Sequence, residues 1–221
     1  FHIPRYVENF VDVARTHAPV EVEKRESCAP RFLTFGCALG VHEMTTELKA
    51  GDHTVRLGAN PVGIDVDAIE EILERDHIKQ QIADIDEEHG DTTRILSIER
   101  LDYVKGPLRK LLAFERLLEE NPELHEEVVL INVATPPRKG MEVYQRIREQ
   151  VDETIGRING RFGKHGWTPI KYFFRVLPFE EVIAHYAASD ICWITPLRDG
   201  LNLVAKEFVA TKDLHDGDGV L

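Results

Sequence analysis

The stretch ICWITPLRDGLNLVAKEFV, Ile191–Val209, decides how the rest of the chain is read. Ile191 to Thr195 is mostly apolar and partly β-branched, the pattern of a strand buried in a parallel sheet. Pro196 ends it, and Leu197-Arg198-Asp199-Gly200 makes a short turn. A helix is predicted from about Leu201, with Leu203, Val204, Phe208 and Val209 at helical spacing. A strand, a glycine-bearing turn and a helix N-terminus together make an anion site. N–H groups of the first turn lack an intrahelical partner, and the helix dipole favours negative charge there. Asp199 can orient a polar ligand from the turn, and Glu207, inside the helix, can reach a ribose diol. The same residues also fit an ordinary strand–helix unit in which Asp199 is a cap and Glu207 a solvated helix residue.

The chain from Thr92 repeats this unit. Arg94 to Ile98 reads as a strand and Glu99 to Gly106 as a turn. Pro107 suits the first helical position, and Leu108, Leu111, Leu112, Phe114, Leu117 and Leu118 form a buried face closed by Asn121-Pro122. Val128 to Val133 reads as a strand, apolar but for Asn132. A loop with Pro136, Pro137 and Gly140 leads to a long helix with Val143, Ile147, Val151, Ile155 and Ile158 in step. Ile170 to Phe174 is a further strand and Phe179 to Ala188 a helix. Strands alternating with helices demand a parallel sheet with right-handed crossovers, and such sheets bind ligands outside the carboxyl ends of their strands.

Arg100 and Lys105 fall at such an end. Two cations on a turn leading into a helix suit a diphosphate, Arg binding bidentately and Lys as a point charge. A solvated charged loop is the other reading, since both residue types are usually exposed. Asp102 reads as a turn residue. Arg157 and Arg161 lie one helical turn apart, and Arg175 ends a strand.

Residues 1–62 read differently. Val7, Phe10, Val11 and Ala14 predict a short helix through about Arg15, after an opening that looks like the end of a strand. Pro30 to Ala38 fits strand or helix. Thr45 to Leu48 and Thr54 to Leu57 flank Gly51-Asp52, a hairpin signal. A charged helix is expected over Asp65–Asp84, its apolar Val66, Ile69, Ile72, Leu73 and Ile78 packing between domains.

Hydrophobic content of 43% and charged content of 30% are ordinary for a soluble globular protein. A net charge of −12 argues against a nucleic-acid or anionic-membrane partner, although it allows a small pocket lined by a few arginines. Cys28, Cys37 and Cys192 are odd in number and irregularly spaced, which fits unpaired thiols in a reducing cytoplasm. No apolar run approaches the ~18 residues of a membrane span. Neither a Ser/His/Asp arrangement, nor metal-ligand spacing, nor a Gly-x-Ser-x-Gly elbow is present.

Three motifs carry a resemblance: ERLDYVKG at 99–106, GRINGRFG at 156–163 and LRDGLNLVAKEF at 197–208. In this order they resemble the trehalose-6-phosphate synthase-like retaining glycosyltransferases of family 20, over nearly the whole chain. The resemblance implies an α/β GT-B fold of two Rossmann-like domains facing a cleft that closes during catalysis. Residues 1–64 would be the tail of the amino-terminal acceptor domain, 65–91 the inter-domain crossing helix, and 92–221 a truncated donor domain. The chain would then be an internal stretch of a longer protein, inactive by itself.

The resemblance also implies residue roles. Arg100 and Lys105 would hold the donor's phosphates. Asp199 would bind the donor sugar's hydroxyls, and Gly200, Leu201, Asn202, Leu203 and Val204 would hold sugar and phosphate. Glu207 would take the ribose, and His2, in a His-Ile-Pro stretch, would bond the donor sugar. Arg157 would lie near the acceptor. Catalysis would rest on charge stabilisation of the leaving diphosphate and on positioning, with no metal and no cofactor, the nucleotide sugar being a substrate.

HIPRYVENF at 2–10 departs from the trehalose pattern, which continues His-Ile-Pro with Phe-Pro. Arg5 could bind a phosphate and Tyr6 could fill the space of a second hexose. With NVATPPRKGMEVY at 132–144, this is closer to the glucosylglycerol-phosphate synthases of the family. That subfamily implies transfer from ADP-glucose to glycerol 3-phosphate in osmoprotectant synthesis. UDP-glucose with glucose 6-phosphate is the alternative. A non-catalytic sugar-phosphate sensor is a rival, opposed by the presence of Arg100, Lys105, Asp199, Asn202 and Glu207. A nucleotide-sugar epimerase is another, opposed by the lack of a Gly-x-Gly-x-x-Gly. The resemblance leaves homo-oligomer formation open.

Overall fold

The computed structural model describes residues 1–28, 41–136 and 142–221. They form two compact units, Phe1–Gly63 and Ile64–Leu221. The segment Pro30–Ala38, Cys37 and the loop residues Pro137 and Gly140 lie outside the described residues.

In the first unit, helix α1 (Pro4–His17) starts with Pro4 in its first turn, after Ile3 in extended conformation. Proline there costs no hydrogen bond. Val7 and Val11 are buried against Leu48 and Ala59. Three antiparallel strands follow: β1 (Val20–Ser27), β2 (Glu43–Ala50) and β3 (His53–Arg56), in the order β1-β2-β3. Glu8 ties the helix to this sheet by accepting the Thr45 backbone N–H at 2.5 Å. The β2–β3 hairpin turns where its sequence predicts, with Gly51 at φ +60°. Strand β1 has no sequence signal of note, because VEVEKRES carries apolar residues only at Val20 and Val22 and is otherwise largely exposed. The opening residue pairs through its backbone: Phe1 donates to Gly58 O at 3.0 Å and accepts from Asn60 N–H at 2.6 Å. The described sheet of this unit is antiparallel, unlike the parallel sheet of a Rossmann-like half.

The second unit holds a parallel sheet of β4 (Thr93–Arg100), β5 (Val128–Thr135), β6 (Ile170–Phe173) and β7 (Ile191–Cys192), in the order β6-β5-β4-β7. Its helices are α2 (Val66–Leu73), α3 (Asp76–His89), α4 (Pro107–Glu120), α5 (Glu142–Phe162), α6 (Phe179–Ala188) and α7 (Leu203–Leu214). Side chains alternate along β5. Val129, Ile131 and Val133 join a core with α2, α3, α6 and α7, while Val128 and Leu130 join a second core with α4 and α5. Burial on both faces is why β5 reads as a largely apolar run.

Several boundaries differ from expectation, and β4 runs on through Glu99 and Arg100, where a turn was expected. The helix expected over Asp65–Asp84 comes as α2 and α3, broken at Glu74-Arg75 with Arg75 extended. In one straight helix Ile78 would point about 180° away from Ile69; the break brings both into one core of this unit. The strand expected to Thr195 pairs regularly only through Cys192, although Trp193 N–H still donates to Leu96 O at 2.7 Å. The helix expected from Leu201 starts at Leu203, because extended Asn202 caps it, its Oδ1 accepting Ala205 N–H at 3.0 Å. Val209, expected on the buried face, is exposed. On the far side of β7, Val220 pairs in parallel with Ile191.

Candidate active site at the carboxyl edge of the parallel sheet

The loops after β4 and β7 meet at the carboxyl edge of the sheet. Their backbones are joined directly, Leu197 N–H donating to Val104 O at 2.8 Å. After β4 the chain makes a 3-10 turn, Tyr103–Lys105, capped by buried Asp102, whose Oδ1 accepts Val104 N–H at 3.2 Å. Asp102 is thus the turn residue its sequence position suggested, and its Oδ2 also accepts from Arg100 at 2.7 Å. Gly106 then takes a left-handed conformation and α4 begins at Pro107.

Lys105 and Asp199 meet across the two loops, Nζ donating to Oδ2 at 2.6 Å. Asp199 also accepts from Asn202 Nδ2 at 3.0 Å and from Leu201 N–H at 3.4 Å. Partial burial pushes its carboxyl up, but Lys105, the Leu201 N–H and the Asn202 amide together hold it below the usual carboxylate range. Asn202 therefore serves both the turn and α7, whose N-terminus opens at this edge with Leu203 and Val204 in its first turn. Within α7, Glu207 Oε2 accepts the Tyr186 hydroxyl at 3.1 Å. Tyr186 is fully buried, so Glu207 is held from beneath. The geometry offers two cations, a helix N-terminus and a set of polar groups, which suits an anionic ligand with hydroxyls.

The sequence model of glycosyltransferase family 20 matches residues 1–221. The chain belongs to glycosyltransferase family 20. It is 54% identical over 221 residues to the glucosylglycerol-phosphate synthase of Pseudomonas anguilliseptica, spanning all of this chain and 29% of that protein. Identity to the glucosylglycerol-phosphate synthase of Synechocystis sp. is 45% over 217 residues, spanning 98% and 44%. Among solved structures, the UDP-forming α,α-trehalose-phosphate synthase of Burkholderia xenovorans in complex with glucose 6-phosphate superposes with a TM-score of 0.81 at 30% identity. That match covers all of this chain and 45% of the other. The chain thus spans less than half the length of these relatives. Its fold class is α/β, that of the GT-B enzymes of family 20.

Within this family 20 chain, the structure places Arg100 at the end of β4, Lys105 on the loop after it, Asp199, Gly200, Leu201 and Asn202 on the loop after β7, and Leu203, Val204 and Glu207 on α7. It does not bring Arg157 to them. Arg157 pairs with buried Glu115 of α4, and its neighbour Asn159 bonds both backbone groups of Ile170, the first residue of β6. That is the amino edge of the sheet, opposite the Lys105–Asp199 cluster, so the acceptor role expected for Arg157 finds no support here. Arg161 pairs with Glu119 on the same helix interface, and Arg175 with Glu181. His2, Arg5 and Tyr6 belong to the first unit, at the start of α1. All three are part-buried, and His2 Nδ1 is buried without a hydrogen-bond partner among the described residues. Among the described residues, no group of three or more His, Cys, Asp or Glu side chains is gathered to hold a metal ion.

Sequence reading missed the support beneath the site. Lys110 of α4 is buried and bonds Ser97, Glu99 and the Trp193 carbonyl. A signal was present: Lys110 sits next to Leu111 and four residues before Phe114, on the apolar face of its helix.

Proposed function

We propose that the protein carrying this chain is a retaining glucosyltransferase that moves glucose from ADP-glucose to glycerol 3-phosphate, as a cytoplasmic step in compatible-solute synthesis. The observation that carries the transferase reading is the junction of Lys105 with Asp199, Asn202 and the N-terminus of α7 on the sheet edge where β4 ends at Arg100. A diphosphate there meets two cations and a helix dipole, which stabilise the charge that develops as it leaves. Retention fits an acceptor hydroxyl that bonds the anomeric carbon on the face the diphosphate vacates, its proton passing to the departing phosphate oxygen.

In this reading Asp199, once separated from Lys105, binds hydroxyls of the glucose. Glu207 binds the ribose, a role its hydrogen bond to Tyr186 pre-orients. His2 bonds the donor sugar, Arg5 the acceptor phosphate, and Tyr6 limits acceptor size; these three roles rest on the HIPRYVENF resemblance. The acceptor assignment draws support from identities of 54% and 45% to glucosylglycerol-phosphate synthases. The buried thiol of Cys192, free among the described residues, fits a reducing compartment.

Glucose 6-phosphate with UDP-glucose is the second reading, favoured by the likeness to a UDP-forming trehalose-phosphate synthase holding glucose 6-phosphate. The whole protein should be offered ADP-glucose and UDP-glucose with each acceptor, and the products identified by mass spectrometry. A glucosylglycerol phosphate product is expected from ADP-glucose. Efficient use of glucose 6-phosphate, with little product from glycerol 3-phosphate, would transfer the assignment to the second reading.

A further inference from the structure

Lys110 is a charged side chain only 3% exposed, in a helix whose neighbouring positions Leu111 and Phe114 are core. Its ammonium has three protons and meets three acceptors: Ser97 Oγ at 2.7 Å, Glu99 Oε2 at 3.0 Å and Trp193 O at 3.2 Å. The Trp193 ring lies 6.0 Å from Nζ as well. Buried ion pairs are seldom a net gain over apolar side chains of the same volume, because desolvation offsets their attraction. Stability alone is therefore a weak reason for Lys110 to be there.

Its acceptors suggest a better one. Ser97 and Glu99 lie on β4 directly ahead of Arg100, and the Trp193 carbonyl belongs to the segment that leads to Asp199. The β4–β7 ladder ends at Leu96 and Cys192, so the two chains part at the point where Lys110 holds both. Lys110 itself rides on α4, its N–H bonded to Gly106 O at 3.2 Å, immediately after Lys105. One side chain thus ties together the two loops whose tips meet as the Lys105–Asp199 pair. We infer that Lys110, with Glu99 as its counter-charge, is a positioning residue that sets the spacing of the diphosphate-binding loops. This inference rests on the nucleotide-sugar reading given above. Burial raises the Glu99 carboxyl, and Lys110 and then Lys105 oppose that rise, so Glu99 depends on the same cations for its charge.

The test uses the whole protein and two probes, ADP and UDP, with affinity measured by calorimetry alongside thermal unfolding. Lys110→Met alone would strand a buried Glu99, so it is combined with Glu99→Gln, which removes the uncompensated charge. The double variant should unfold near the wild-type temperature yet bind the better of the two probes on the order of tenfold or more weakly, since small misplacements of binding groups are costly. In a Lys105→Ala background the same pair should cost little further affinity, because the contact being positioned is gone. Should the Met variant fail to fold, Glu99→Gln with Lys110→Gln keeps an amide donor in the same space, and the same loss is required of it. Unchanged affinity in a folded double variant, while Lys105→Ala weakens binding, overturns the positioning role and leaves the transferase reading standing. A wild type that binds neither probe, or a Lys105→Ala that binds as wild type, overturns both.

Discussion

Lys105 Nζ lies 2.6 Å from Asp199 Oδ2, and this pair closes the gap between the two loops proposed to receive the donor's diphosphate. The carboxylate offsets part of the cation's charge, so Asp199 weakens the pull of Lys105 on an incoming phosphate. Both side chains keep 21% of their surface exposed, so water reaches the pair and weakens it. Asp199→Asn should therefore bind ADP or UDP a few-fold more tightly, because the competing charge is gone. Glucosyl transfer should fall, because the carboxylate proposed to hold the sugar is lost. Calorimetry against the free nucleotides and a transfer assay read the two effects separately. Weaker nucleotide binding by the variant would show that Asp199 does not compete for Lys105.

Arg100→Ala and Lys105→Ala should each reduce kcat/KM by about 3 kcal/mol, the scale of lost transition-state anion donors. Their stabilities should differ. Lys105→Ala releases a part-exposed carboxylate to water. Arg100→Ala removes a partner of Asp102, which is buried at 6% exposure, and leaves Oδ2 without that hydrogen bond. The unfolding temperature should thus drop more for Arg100→Ala, and Arg100→Lys should recover much of that stability while recovering less activity. Near-normal kcat/KM in both alanine variants, measured on folded protein, would remove the diphosphate assignment.

The parallel half of the fold was legible because its signals are local. Largely apolar strands such as Val128–Val133, Pro107 at a helix start and Asn121-Pro122 at its end each act through the nearest few residues. Phe179–Ala188 matches its expected bounds for the same reason. Strand β1 was not legible, since its pairing with β2 comes from the backbone and its side chains are mostly charged and exposed. The break between α2 and α3 could have been found, because Ile69 and Ile78 cannot share a face of one helix. At the site, residue types suggested Arg100, Lys105 and Asp199. That Lys105 reaches Asp199, Lys110 reaches Trp193 and Arg157 is committed to Glu115 depends on tertiary distances that no local spacing encodes.

His185 should give the protein an acid-sensitive limb. Burial, with the nearby positive charges of Arg175 and His89, lowers its pKa from the ordinary 6.5 to about 4, and Glu88 opposes only in part. Its Nδ1 has no hydrogen-bond partner among the described residues. Above about pH 6.5 the ring is neutral in both folded and unfolded chains and contributes nothing to pH dependence. As pH falls from about 6.5 to about 4 the unfolded chain takes up a proton that the folded one refuses, so stability declines, by about 3 kcal/mol at most. Urea unfolding at pH 7 and pH 4.5 on wild type and His185→Leu checks this, the carboxylate contributions being common to both. The variant should lose less stability on acidification; an equal loss would place the acid sensitivity elsewhere.

Gly106 should matter to the site as well as to the backbone. It sits at φ +65°, where a side chain costs roughly 1–2 kcal/mol. An added Cβ would also lie 3.2 Å from Leu197 Cγ and 3.4 Å from Cδ2. Leu197 cannot yield without consequence, because its N–H is bonded to Val104 O and its chain continues to Asp199. Displacing it should open the Lys105–Asp199 pair. Gly51, at φ +60° in the β2–β3 turn, is the matched control, since an added Cβ there meets nothing within 4 Å. Both Gly106→Ala and Gly51→Ala should lower stability by a similar strain cost in thermal or urea unfolding. Only Gly106→Ala should also weaken ADP or UDP binding, and trimming the neighbour in Gly106→Ala with Leu197→Ala should restore part of that affinity. If Gly106→Ala loses stability like Gly51→Ala while keeping full nucleotide affinity, the packing of Leu197 on Gly106 does not set the geometry of the site.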